Sequence, residues 1–383
     1  MKIEIKLNTT SDETPFMDLP QALVEEMLQR CDILGENLSV AFKKINDNRN
    51  VIRKNLQKLN ILRRDPELLT TRTSPTSCGI DGAYAIERLL STDMLATAAV
   101  AVEGLIPPSE KRHWPEPHHL CYVDSISHYD ATPLVLRAIM ICMELELSTN
   151  APHDVIMMDG SLSTPLIYLN MALNRINEIS DKLKSKLLDE LESSLKIYKK
   201  ILEASRSDKI YVGLPKYTTK KEISQNILQM GEYEDRGLLS FILDSGEYVG
   251  PLPIEPPRQL YHITHAPNEL RDLVDEIIVH LNNIYIMYYR PYLHIPALRL
   301  EIPKSIANNN QRLSILCESL KIQCGASAII EPYPLYMADR MVKHLSTALP
   351  AIRRSTTQEI AFKWEENLGN MYLAMHGYRT ESG

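Results

Sequence analysis

Two aspartates occupy the same local setting. The run Asp154-Val-Ile-Met-Met-Asp159-Gly160-Ser161 carries four apolar residues straight into a carboxylate, and Ser77-Cys-Gly-Ile-Asp81-Gly82-Ala-Tyr-Ala-Ile repeats the Asp-Gly step. A short apolar run bounded by turn residues reads as a buried strand. Open α/β sheets place their ligand crevice at the carboxyl ends of such strands. A lone carboxylate there is costly unless compensated, which makes a cation the natural partner of Asp159. The competing reading is an aspartate capping the helix that follows. If the two strands are neighbours, Asp81 and Asp159 come within metal-bridging distance. A third carboxylate is available from the apolar segment 132–148, a buried helix with Glu144 and Glu146 near its end. Both qualify and Glu144 is favoured; a helix-end surface glutamate is the plain alternative for either. Hard oxygen donors suit Mg²⁺ or Mn²⁺ rather than zinc. Such a set supports phosphodiester cleavage by two ions, one activating water and the other stabilising the leaving oxygen.

The elements that must position these acids follow from periodicity. Strand-like segments at 77–86, 95–103 and near 120–126, with turns between them, predict an antiparallel meander. The helix 132–148, the strand 154–159, a long helical stretch 165–205 and a fifth strand 210–214 ending at Pro215-Lys216 come next. That is the order of an α/β, RNase H-like mixed sheet flanked by helices. Downstream, 220–257 reads as helix and loop with a proline cluster at 251–257. A strand at 259–264, paired strands at 284–291 and 297–303, a helix at 306–322, a short strand at 328–330 and a last helix at 334–345 complete the reading. Upstream, Val24, Cys31, Leu38, Ile45, Ile52 and Leu59 recur every seven residues, predicting a helical arm with a bend at Gly35. Such an arm seeks another helix, and dimerisation is its simplest use. The expected organisation is therefore an arm over 1–70 that contacts a second copy, DNA or a partner, a nuclease-like domain over 71–350, and a C-terminal helix or tail over 351–383.

The 383 residues are 44% hydrophobic and 24% charged, enough for a large core. The net charge of −7 argues against wholesale coating by nucleic acid. Between Lys43 and Arg64, however, eight basic residues face one acid, Asp47. That stripe fits either a confined polyanion-binding face or a solvated helix surface. Six scattered cysteines without a Cys-x-x-Cys pair read as buried thiols of a reducing compartment. The absence of a signal-like start or a membrane-length apolar run predicts a cytoplasmic protein with no membrane partner. No phosphate-binding glycine loop, nucleophile elbow or His-Glu-x-x-His is present. The histidines at 113, 118, 119 and 128 match no metal spacing and read as loop and strand surface.

Ordered motifs add a resemblance. Ile-Asp81-Gly82, Met-Asp159-Gly160-Ser161-Leu162, Gly213-Leu-Pro-Lys216, Tyr289-Arg290-Pro291 with Arg299-Leu-Glu301-Ile-Pro303, and Pro332-Tyr333-Pro334-Leu335 with Ala338-Asp339 span about 77–345. Together they resemble the NurA nuclease family. The resemblance implies a Mn²⁺- or Mg²⁺-dependent nuclease acting on DNA ends. It further implies a homodimer docked on a HerA-type hexameric ATPase, working in end resection and repair or in defence against foreign DNA such as phage. Carried over by position, Asp81, Glu144 and Asp159 match the metal-binding acids, with Tyr333 and Asp339 contributing an aromatic and a ligand. Asp339 stands where the family often has His, and Glu331-Pro332 where it often has Tyr-Pro. These departures leave room for a catalytically impaired subunit that regulates an ATPase partner. Lys216 reads as a contact to the scissile phosphate or as a surface lysine. Arg290 and Arg299 read as phosphate contacts or as partners of acids within the domain.

Overall fold

The computed structural model describes residues 19–65, 74–107, 112–255, 261–363, 367–377 and 379–382. The chain divides into two compact units, Met1–Ile52 and Arg53–Gly383. Helix α1 (Gln21–Gln29) lies in the first, and α2 (Cys31–Lys58) begins there and ends in the second. The break between them falls at Arg30, and Gly35 lies inside α2, so the helix runs on through the glycine. A single glycine is tolerated within a helix at modest cost. Leu34 and Leu38 are exposed on this arm.

The second unit is built on a ten-stranded sheet. In chain order come β1 (Leu62–Arg64), β2 (Ser77–Arg88), β3 (Asp93–Glu103), β4 (His118–Ile126), α3 (Thr132–Asn150), β5 (Val155–Asp159), α4 (Thr164–Asn174), α5 (Asp181–Glu203) and β6 (Ile210–Leu214). Then follow α6 (Asp235–Ile242), β7 (Glu247–Pro253), α7 (Arg271–Leu281), β8 (Ile284–Arg290), β9 (Leu298–Pro303), α8 (Lys304–Ala307) and α9 (Asn310–Gln323). The chain closes with α10 (Tyr333–Lys343), α11 (Leu345–Lys363), α12 (Leu368–Ala374) and β10 (Arg379–Ser382). The strands lie in the order β1-β7-β8-β9-β6-β5-β2-β3-β4. The predicted meander, crossover helix and parallel strand are all present, with β5 parallel to both β2 and β6. The buried stripe of α5, Leu183, Leu187, Leu191, Leu195 and Leu202, recurs at helical spacing and packs into the main core.

Several expectations are corrected. The stretch 220–257 contains β7, a full partner of β8. Its Gly250-Pro251 pair falls where the register slips between Val249 and Leu252, the kind of irregularity at which a sheet accepts proline. Residues 261–264 form loop and turn rather than strand, while 259 and 260 lie outside the described residues. Residues 328–330 form a turn, with Ile329 N–H donating to Ala326 O. The stretch 165–205 is two helices, α5 being started by Ser180, whose hydroxyl accepts from Leu183 N–H. The C-terminal segment is more than a tail, because β10 joins the sheet against β2. β1, expected within the arm, joins it against β7.

β2 is long for a reason that bears on function. Its residues 77–80 pair with β5 and its residues 85–88 pair with β10, while β3 occupies the other edge throughout. Residues 81–84 thus face a gap between β5 and β10. Helix α10 packs on β2 at Gly79, where an added Cβ would stand 2.4 Å from the Pro334 carbonyl carbon and 2.5 Å from Leu335 N. Backbone cannot retreat as a side-chain tip can. Gly79→Ala should therefore destabilise the protein by about 1–3 kcal/mol through overpacking, read by chemical denaturation; an unchanged midpoint would show that α10 does not depend on this contact.

Candidate metal centre

The gap beside β2 is where the acids meet. Ile80 is in register with Met158 across the parallel pair β2–β5. The next residue on each strand is Asp81 and Asp159, so the two carboxylates emerge side by side, one strand spacing apart. Helix α10 brings Asp339 to them, and the ligand oxygens of Asp81, Asp159 and Asp339 all lie within 4.8 Å of one another. Glu144 reaches the same cleft from α3, over Gly82, where a Cβ would stand 2.5 Å from Glu144 Oε1. Glu146 is exposed elsewhere on the helix. The carboxylates open onto a cleft of about 520 Å³, also lined by Arg137, Tyr168, Lys216, Tyr217, Glu331 and Lys343.

The electrostatics of this cluster are those of a site short of positive charge. Burial, then the neighbouring Asp159 and Asp339 carboxylates, push Asp81 up to about 8, against the pull of Lys216 and the Gly82 N–H. Burial, Asp81 and Asp159 likewise hold Glu144 well above the usual carboxylate range. Lys216 Nζ sits 3.1 Å from each of Asp159, Glu331 and Asp339. Burial works against its charge, but those three carboxylates outweigh it and raise its pKa. Asp339 is lowered despite its burial, because Lys343 and Lys216 both donate to it. The donor set is all carboxylate, and an aspartate at 339 keeps it so. These residues fit a hard divalent cation, which would offset the repulsion that raises Asp81 and Glu144. Asp159 is paired with Lys216 rather than capping α4, whose N-cap is Ser163.

The remaining predicted residues fall outside the cleft, apart from Lys216. Arg299 is 1% exposed and committed inside the domain, its guanidinium bonding Glu222, Glu301 and the Tyr288 hydroxyl. Arg290 donates to the backbone carbonyls of Ile295, Ser240, Leu243 and Leu293. Both are placed as structural cations, which corrects the reading of them as phosphate contacts. Their place in the motif has another explanation. Glu301, held by Arg299, accepts from Ser161 Oγ at 2.6 Å and Leu162 N–H at 3.0 Å, fixing the turn directly after Asp159. Tyr333 is half-buried at the start of α10 and does not line the cleft. Sequence reasoning missed Arg137, which stands seven residues before Glu144 on the same face of α3, stacked 4.7 Å from the Tyr168 ring centre. It also missed the nearly fully exposed Tyr217 and Lys343, which lies four residues after Asp339.

Asp81 also sets a pH dependence. Its folded pKa of about 8 lies above its ordinary 3.8. Over that interval the folded chain holds a proton that the unfolded chain has released, so metal-free stability falls as pH rises from about 4 to about 8. Asp81→Asn should remove this penalty. Thermal or denaturant unfolding should show little gain near pH 4 and a gain on the order of 1–3 kcal/mol near pH 8; a variant less stable than wild type at the higher pH would contradict the charge crowding described.

No family model and no curated protein matches the sequence. Solved structures do match in fold. The NurA nuclease from Sulfolobus solfataricus aligns with a TM-score of 0.60 at 15% identity, covering 91% of this chain and 99% of that one. A NurA structure with manganese aligns at 0.54 with 13% identity, over 89% and 99% of the two chains. One bound to dAMP and manganese aligns at 0.53 with 15% identity, over 90% and 99%. The mixed sheet flanked by helices, with its long N-terminal helix, is therefore the NurA nuclease fold.

Proposed function

We propose that this chain is a divalent-metal-dependent deoxyribonuclease of the NurA family. The observation that carries the reading is the convergence of Asp81, Asp159 and Asp339, with Glu144 beside them, in an open cleft whose carboxylates outnumber its cations. Asp81, Glu144, Asp159 and Asp339 would hold Mn²⁺ or Mg²⁺, which would lower the pKa of water and neutralise charge on a scissile phosphate. Asp81 and Glu144 would have to be ionised to serve as ligands. Lys216 turns from the carboxylates towards a phosphate oxygen, and Arg137 and Lys343 contact the backbone on either side. Tyr217 offers a face on which a splayed base stacks. Arg299 and Glu301 act as positioning residues, keeping Asp159 aimed at the cleft.

The nuclease is taken to act on DNA ends, in resection or in defence against foreign DNA, with a HerA-type hexameric ATPase feeding it duplex. A second reading is motivated by Lys216, whose ammonium already sits among three carboxylates. In that reading the chain is a catalytically impaired subunit that regulates its ATPase. The two separate on one assay, incubation with linear single- and double-stranded DNA plus Mn²⁺, with and without EDTA. The nuclease predicts EDTA-sensitive degradation that falls at least about a hundredfold in Asp159→Asn with the fold retained. Wild type inert with and without its ATPase supports the regulatory subunit, and undiminished cleavage by the variant refutes the site. Co-purification with a hexameric ATPase checks the partner.

The exposed leucines of the arm make a homodimer the expected state. Leu34→Glu with Leu38→Glu should halve the mass seen by light scattering; a monomeric wild type, or an unchanged dimer in the double variant, would remove the arm from the interface.

A further inference from the structure

A second cluster lies at the other end of the strands that carry the aspartates. Glu103 closes β3 opposite Cys78, three register steps from Asp81. His153 sits just before β5, whose far end is Asp159, and His113 lies between β3 and β4. Glu103 is 4% exposed and His153 is 0% exposed. Glu103 Oε1 stands 3.0 Å from His113 Nδ1 and 3.2 Å from His153 Nε2. The three ligand atoms all fall within 4.8 Å of one another.

Nδ1 of the wholly enclosed His153 ring has no hydrogen-bond partner, and Nε2 faces Glu103 Oε1 at 3.2 Å off the direction of a good hydrogen bond. Buried polar atoms are almost always satisfied, so this imidazole is held at Glu103 with its bonding incomplete. Around a tetrahedral ion with bonds of about 2.0–2.1 Å, neighbouring ligand atoms are roughly 3.3 Å apart. The two distances to Glu103 Oε1 already lie within a few tenths of an ångström of that spacing. The surroundings are those of a supported ligand set. The backbone N–H groups of His113 and Trp114 donate to Glu103 at 3.0 and 3.3 Å, and ligating carboxylates are characteristically held by such donors. Lys209 Nζ donates to the carbonyls of Ala151 and His153, holding the turn that carries the imidazole. Trp114 covers the His153 ring edge-on at 4.7 Å and stacks on His118. The partly exposed His113 leaves a route for an ion from solvent.

We propose that Glu103, His113 and His153 form a second metal site, one that takes a borderline-soft divalent cation of the zinc type. Two imidazoles and one carboxylate are a zinc donor set, with water in the fourth position, whereas the all-oxygen centre in the cleft suits Mn²⁺ or Mg²⁺. The bound ion ties the segment around His113 to the end of β3 and to the turn before β5. This inference is independent of the nuclease reading.

The test uses the full chain carrying Asp81→Asn and Asp159→Asn, so that the cleft is disabled, stripped with EDTA and dialysed against Zn²⁺. Elemental analysis should find one zinc per chain, and Co²⁺ in its place should give the visible absorption of a four-coordinate ion. Adding His113→Ala, which removes a half-exposed ring, should weaken zinc binding at least about a hundredfold and abolish the zinc-dependent rise in melting temperature. His153→Gln should do the same; if that buried substitution does not fold, His113→Ala decides. No retained zinc in the parent, or equal retention after His113→Ala, overturns the site.

Discussion

Mutual repulsion among carboxylates is the constraint around which this molecule is arranged. Asp81, Glu144, Asp159 and Asp339 belong to four elements distant along the chain, and nothing local holds them together. The sheet register sets Asp81 beside Asp159, and the packing of α10 on Gly79 delivers Asp339. The missing side chain at Gly82 admits Glu144. Each contact is ordinary. Their sum forces like charges into one cleft, where burial and proximity raise the pKa of both Asp81 and Glu144.

The rest of the second unit supports that arrangement. Arg299 is buried at the centre of a polar network joining Glu222, Tyr288 and Glu301, and through Glu301 it reaches the turn after Asp159. A buried arginine with several carboxylate and hydroxyl partners is retained at a desolvation cost. Here it fixes the direction in which Asp159 leaves the sheet. β10 contributes differently. By pairing with the far half of β2 it bounds the gap through which the cleft opens.

What could be read from the residues was what is local. The apolar run into Asp159-Gly160, the meander and the buried helix carrying Glu144 all follow from periodicity over a few residues, and the structure places them as expected. Glu144 and Glu146 lie on nearly opposite faces, about 200° apart, and a helix that is apolar almost all round does not say which face meets the strands. β7 was hidden by Gly250-Pro251, which announce a loop unless the partner strand and its register slip are known. For Arg290 and Arg299 the choice between phosphate contact and a partner within the domain stayed open, because alternation on a strand does not say which face is buried in a layered domain; Arg299 takes the second. Arg137 was within reach, since its spacing from Glu144 is two helical turns. The grouping of Glu103, His113 and His153 was not, because no motif links residues that only the edge of the sheet brings together.

The two proposed cation sites differ in chemistry as well as position, oxygen-only in the cleft and nitrogen-rich at the opposite end of β5. The cleft is the more consequential, and its charge state gives it a direct signature. Calorimetric titration of the metal-free protein with Mn²⁺ at neutral pH, repeated in buffers of different ionisation enthalpy, counts the protons released on binding. Binding should be saturable and should expel protons, because Asp81 and Glu144 must be ionised to act as ligands. No binding, or binding with no proton release, would contradict a carboxylate cation site in the cleft.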